Sequence, residues 1–293
     1  MDDELGLFPR SAVGIAALIC GILLVVMAVL GPLGLDLIEH RVSQSAKWQL
    51  EGQDIADLLF LAPLLFIGGL MAILNRPNAK YLLILAPLTL MYTGLSIGVG
   101  AEWSDPTMTG NVEDFTWIFL GLVVGGLFLL ISTLSMFGPD DIPDLEMKGL
   151  RKFSIGMSLF LFLFAWMWIF QVITVVHKGD LPDGSYADGP TLFWTIRYLD
   201  LGIVVPLGFM ALYLLQKHPK RAYSLVLLFF GFFATMAISV DSMLAVQVIK
   251  GDQNLGSIGP GAGIFLVLTA LTFYALYYLL RHRLRPSPTY GRT

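Results

Sequence analysis

The chain has 293 residues, of which 56% are hydrophobic and only 14% charged, and its mean hydropathy of +0.74 implies more apolar surface than one soluble core can bury. Lipid is therefore its solvent. A formal charge of -4 with no basic stripe excludes nucleic acid as a partner, and a single cysteine, Cys20, excludes an internal disulfide and a thiolate metal cluster.

The N-terminal segment MDDELGLFPR is acidic where a signal peptide is basic, and no small-residue cleavage pattern follows the first apolar run. That run reads as a retained signal anchor. A membrane-spanning helix needs about 20 apolar residues. Eight runs qualify: Ala12 to Leu30, Ile55 to Leu74, Tyr81 to Val99, Phe115 to Phe137, Phe153 to Val176, Leu192 to Leu215, Tyr223 to Val248 and Gly261 to Leu280. The expected fold is an all-α integral membrane protein with eight transmembrane helices in a lipid bilayer.

Basic residues alternate between the two sides of that arrangement. Thirteen of the 18, including Arg10, Arg76, Lys80, Arg151, Lys152, Lys217, Arg221, Arg285 and Arg292, fall on the side of the two termini. Arg41, Lys47, Lys178, Arg197 and Lys250 fall on the other. The positive-inside rule then makes both termini cytoplasmic and the protein a multi-pass component of the cell membrane. Loops on the outward side are acidic, with Glu102, Asp105, Glu113 and Asp114 in one and Asp180, Asp183 and Asp188 in another, and Trp48, Trp103, Trp117 and Trp194 form a belt there. Such a surface concentrates cations, although exclusion of lysine and arginine from that side yields the same pattern.

The two halves of the chain match. A shift of 143 pairs Asp57 with Asp200, Leu58 with Leu201, Pro63 with Pro206 and Leu64 with Leu207; a shift of 142 pairs Gly14 with Gly156, Pro77 with Pro219, Tyr81 with Tyr223 and Thr93 with Thr235. The expected organisation is one membrane domain of two four-helix repeats, residues 1-140 and 141-293. Four helices per repeat is an even number, so both repeats share one orientation, as in parallel-repeat transporters.

GQD at Gly52 to Asp54, opening the second run, and LDLGIVVPLG at Leu199 to Gly208 in the sixth resemble a broad family of bacterial and archaeal multi-pass membrane proteins. The resemblance implies a fold type and brings no catalytic residues.

Chemistry concentrates in a few side chains. Asp200 is about 22 Å from the end of its helix near Leu215, inside the hydrocarbon, so it must be paired, protonated or facing water. Arg197, three residues earlier, is spaced to pair with it. Gln53, Asp54 and Asp57 open the second run and Asp241 lies in the seventh, which together suggest an outward-facing polar vestibule; Asp54 also reads as a simple acid at a helix start. Pro63, Pro87 and Pro206 lie inside runs and kink them. His40, His177, His218 and His282 sit at or beyond helix ends as solvated loop residues. No haem-ligand pair, zinc motif, phosphate loop or nucleophile elbow is present, so no cofactor and no metal is expected.

The sequence therefore points first to a small-solute or ion permease with Asp57 and Asp200 as cation or proton sites. A non-catalytic subunit or assembly factor of a larger membrane complex, held by fixed partners, is the alternative, whereas a lone particle or homo-oligomer fits the permease. A membrane enzyme would need acid-base carboxylates without an accompanying nucleophile, and ranks third.

Overall fold

The computed structural model describes residues 6-101, 107, 109-143, 147-182, 185-252 and 255-284, and among them the regular structure is helical with no strand. Seven helical stretches are long and apolar enough to cross a membrane: Arg10–Leu30, Gln44–Ile73, Ala79–Ala101, Val112–Ser135, Gly149–Lys178, Pro190–Lys217 and Pro219–Lys250. The eighth expected run belongs to a helix at Leu255–Leu284, whose described apolar part, Phe265–Arg281, is shorter. Glu102, Trp103, Asp105, Asp183, Arg285 and Arg292 lie outside the described residues.

The first span is α1 (Arg10–Leu30). The second joins α2 (Gln44–Ala56), a π turn at Asp57–Leu61 and α3 (Ala62–Ile73). The third is α4 (Ala79–Leu83), then α5 (Pro87–Leu95) and a π turn at Ser96–Ala101. The fourth and fifth are α6 (Thr116–Ser135) and α7 (Met147–Lys178). A short α8 (Ser185–Asp188) leads to the sixth span, made of α9 (Pro190–Leu199), a π turn at Asp200–Val204 and α10 (Val205–Lys217). α11 (Pro219–Lys250) and α12 (Leu255–Leu284) complete the chain.

The second span starts earlier than the apolar pattern indicates. Ser43 caps α2 by accepting a hydrogen bond from the Ala46 N–H at 3.3 Å, so the helix begins at Gln44 rather than Ile55. Its first turns, QSAKWQLEGQDIA, are polar because they pack on protein instead of lipid. Gln53, Asp54 and Asp57 therefore lie well inside the helix, and the reading of Asp54 as a helix-start acid is corrected.

Two apolar cores form. One gathers Val13, Leu24, Leu65, Leu83, Leu122 and Leu129; the other gathers Leu150, Leu161, Leu212, Tyr223, Phe230 and Leu279. The third span serves both, sending Leu83 and Leu90 into the first core and Ile84 and Tyr92 into the second. Packing order repeats as well. α3 packs on α1 and α4 as α10 packs on α7 and α11, and α5 packs on α6 as α11 packs on α12.

The two cores are joined through the helices that carry π turns. α2 lies along α11, and α9 lies along the Ser96–Ala101 π turn. Between lipid-solvated helices there is little hydrophobic drive, so close backbone approach and polar contacts hold the joint. Thr89 Oγ1 and Thr235 Oγ1 meet at 2.5 Å across it. At the end of the bundle near His40, Ser45 Oγ donates to Asp252 Oδ2 at 2.5 Å, Gln247 Nε2 donates to the same oxygen at 3.0 Å, and Lys250 pairs with Glu51 at 2.9 Å.

Gly52 makes this approach possible, because a Cβ there would lie 2.4 Å from the Met243 Cα, a backbone atom that cannot swing aside. A Cβ at Gly156, in contrast, would meet nothing within 4 Å. Gly52→Ala is expected to destabilise the fold by about 1–3 kcal/mol through forced separation of α2 and α11. Gly156→Ala should leave the melting temperature unchanged or slightly raised, and thermal unfolding in one detergent distinguishes the two.

Candidate functional site

The second and sixth spans share one local solution to the same covalent problem. Pro63 and Pro206 have no N–H, and each ring crowds the carbonyl four residues earlier. Widening the preceding turn relieves this, and such π turns recur at functional sites. In the second span the Ala62 N–H accordingly bonds the Asp57 carbonyl; in the sixth the Val205 N–H bonds the Asp200 carbonyl. The next donor in that register would be the proline itself. Leu58 and Leu201 are thus left with carbonyls that the helix ladder does not supply. Each acid is the first residue of its π turn, and both are buried, at 0% exposure for Asp57 and 4% for Asp200.

Around Asp200 the groups come from three spans. The Tyr92 hydroxyl of α5 and the Trp168 indole of α7 face its carboxylate, although Trp168 Nε1 stops short of a well-formed hydrogen bond. Arg197 acts on the same carboxylate through space, but its side chain goes elsewhere. The guanidinium reaches Gln171 Oε1 and lies 4.2 Å from the Trp168 ring centre and 4.0 Å from that of Phe193. Among the described residues no ion-pair contact joins Arg197 to Asp200. The expected one-turn pair is therefore replaced by an aromatic clamp, in which a weakly hydrated guanidinium gains cation–π attraction.

Asp200 also borders a cavity of ≈ 100 Å³ between α7, α11 and α12, whose aromatic wall includes Tyr92, Phe164, Trp168, Phe232 and Phe233. A second, more polar cleft of ≈ 150 Å³ opens between α2 and α9, lined by Ser43, Ser45, Gln49, Phe193 and Arg197. It connects the His40 end of the bundle with Arg197.

The remaining candidates form a second set. Gln53 Nε2 donates to Asp57 Oδ1 at 2.9 Å, while Asp57 Oδ2 is buried with no hydrogen-bond partner. Asp54 Oδ2 accepts from the Leu33 N–H at 3.3 Å, tying the loop after α1 to α2. Asp241 Oδ2 accepts from Thr269 Oγ1 at 2.8 Å, and Asp241 Oδ1 is likewise buried without a partner. Asp241 precedes the Ser242–Met243 contact with Gly52, so this set lies along the α2–α11 joint. No hydrogen bond or ion pair among the described residues links it to Asp200; the described contacts place the six candidates in two groups.

Sequence reasoning missed several of these groups. Gln171 is the one amide in α7, and Tyr92 lies in an apolar run; neither carries a spacing signal toward Asp200. Lys80 was counted only as a charge beside a helix end. It is instead 6% exposed, pairing with Asp141 Oδ2 at 2.5 Å and donating to the Met136 carbonyl at 3.2 Å. His40 is corrected too. Rather than solvated, it is largely buried with Nδ1 unpartnered, and burial pushes its pKa down to about 4 against the raising effect of Asp36, with Lys47 lowering it further.

No protein-family model, curated protein or solved structure matches the chain.

Two outcomes follow from the buried charges and the histidine. Asp141→Asn should cost about 3–5 kcal/mol by stranding the Lys80 ammonium, and adding Lys80→Met should recover part of the loss, a coupling that a double-mutant cycle of unfolding measures. For His40 the folded pKa lies below the unfolded value of 6.5. Its neutral form therefore contributes stability that is complete above about pH 6.5 and is lost as pH falls toward 4, by up to roughly 3 kcal/mol. His40→Gln should flatten that part of the stability profile in pH-dependent melts.

Proposed function

We propose that the protein is a small-solute or ion permease whose path runs between two four-span halves, with Asp57 and Asp200 as twin sites where a cation or proton is handled in turn. One observation carries the reading. Each acid opens a π turn six residues before a proline, each is buried in a helix widened at that turn, and each of these helices packs on a span from the other half of the chain. Interrupted helices with freed carbonyls beside a buried carboxylate are how transporters make sites at membrane depth.

The matched turns, the shared packing order and the paired cores support descent of the halves from one duplicated four-helix unit, giving eight spans in a parallel arrangement. The distribution of lysine and arginine supports cytoplasmic termini and a location in the cell membrane, with the His40 end and its polar cleft outward. On that orientation Arg197 stands at the inner end of the cleft, where its charge screens Asp200 from the outside solution.

Purified protein in liposomes loaded with a pH-sensitive dye tests the assignment, with proton, Na⁺ or K⁺ gradients imposed in turn. Wild-type vesicles should dissipate at least one gradient, and Asp200→Asn and Asp57→Asn should each slow that flux by about tenfold or more, the loss of a charged site costing on the order of 1.4 kcal/mol or above. Flux unchanged in both variants, or none in the wild type, overturns it.

A further inference from the structure

We propose that the cavity beside Asp200 binds a small alkylammonium ion, held by the carboxylate at one end and by aromatic faces around its alkyl groups. The proposal rests on the permease reading only for what it would mean, a class of transported substrate; the site itself stands on the cavity.

The walls decide the ligand chemistry. Phe164, Trp168, Phe232, Phe233 and Tyr92 line a volume of ≈ 100 Å³, and Asp200, 4% exposed, is the one acid among the residues lining it. A hard metal ion needs six or more oxygen ligands. Here the lining offers only the carboxylate and the hydroxyls of Tyr92 and Thr272, and Thr272 Oγ1 is already committed to the Leu268 carbonyl at 2.8 Å. Water gains little from such a wall, because each molecule wants two to four polar partners. A neutral hydrocarbon would fill the space but bring no positive charge to the carboxylate, which faces the Tyr92 hydroxyl and the Trp168 indole.

An alkylammonium satisfies both demands. Its diffuse charge is weakly hydrated and is attracted to ring faces, most strongly to tryptophan. The protein already stabilises one cation in this way next door, the Arg197 guanidinium against Trp168 and Phe193. Arg197 also acts on Asp200 through space. Size fits too: ≈ 100 Å³ leaves room for an ion of about five heavy atoms.

The probe is tetramethylammonium, titrated calorimetrically into the purified full-length protein in lipid nanodiscs, with tert-butanol as the neutral isostere. Wild type and Gly156→Ala should bind the cation alike, and tert-butanol should not compete. Asp200→Asn should weaken binding by about tenfold or more. Ala237→Leu fills the cavity while keeping the charge and should weaken it as much, so it decides the matter if Asp200→Asn fails to fold. Absence of wild-type binding at millimolar concentration, equal binding of tert-butanol, or undiminished binding in Ala237→Leu overturns the site. Vesicle flux that depends on Asp200 without tetramethylammonium binding would leave the permease reading standing and remove this one; binding without any flux would do the reverse.

Discussion

A proline cannot donate a hydrogen bond, and in hydrocarbon no water replaces the donor it lacks. That constraint shapes the centre of this protein. In the second and sixth spans a π turn precedes the proline, with an aspartate at its first position, and the proline cannot donate to the carbonyl one residue further on. Burial of Asp57 and Asp200 then has a covalent origin. The acids are held where the helix is already unable to satisfy itself, so a polar partner there relieves two deficits at once.

Everything around those turns can be read as support for the break. A helix widened by a π turn has a weakened ladder there, and the half before the turn packs on another helix. α2 leans on α11, and α9 leans on the end of the third span. Because lipid provides little hydrophobic force between helices, the joints use what lipid cannot offer: contact over Gly52, hydroxyl pairs such as Thr89 with Thr235, and the Ser45, Gln247 and Asp252 network. The two aspartates are not equivalent in outcome, however. Asp57 is answered by an amide on its own helix, whereas Asp200 meets an aromatic wall from other spans. Gly14 and Gly156 diverge similarly, one tight against Gly69 and the other open.

Much of this was legible in the sequence, and what was not has a physical reason. Apolar run length located α1 and α6 to within a few residues, because lipid exposure leaves a compositional mark. The start of the second span was hidden, since hydropathy registers helices facing lipid and is blind to a polar helix face buried on protein. The spacing of Asp57 to Pro63 and Asp200 to Pro206 pointed to the right positions, but not to the π turns. Spacing along one helix also suggested an Arg197–Asp200 pair; Trp168, Gln171 and Phe193 outcompete Asp200 for that guanidinium, and two of those three lie on another helix. Lys80 and Asp141 are 61 residues apart, so no local pattern joins them.

The α2–α11 joint has a consequence for how the protein is made. Ser45 must wait for Asp252, which is 207 residues downstream, before its contact exists. At typical synthesis rates that interval is roughly 10–40 s. During it the polar half of the second span has no α11 to pack against, although Gln53 and Asp57 can already bond each other and Asp54 the Leu33 N–H. A newborn chain in that condition either holds the polar half of the helix at the headgroups, drawing it inward only when the seventh helix arrives, or borrows shelter from the insertion apparatus. Closure of the α2–α11 joint therefore comes late in synthesis, with the seventh helix as the piece that lets the second settle.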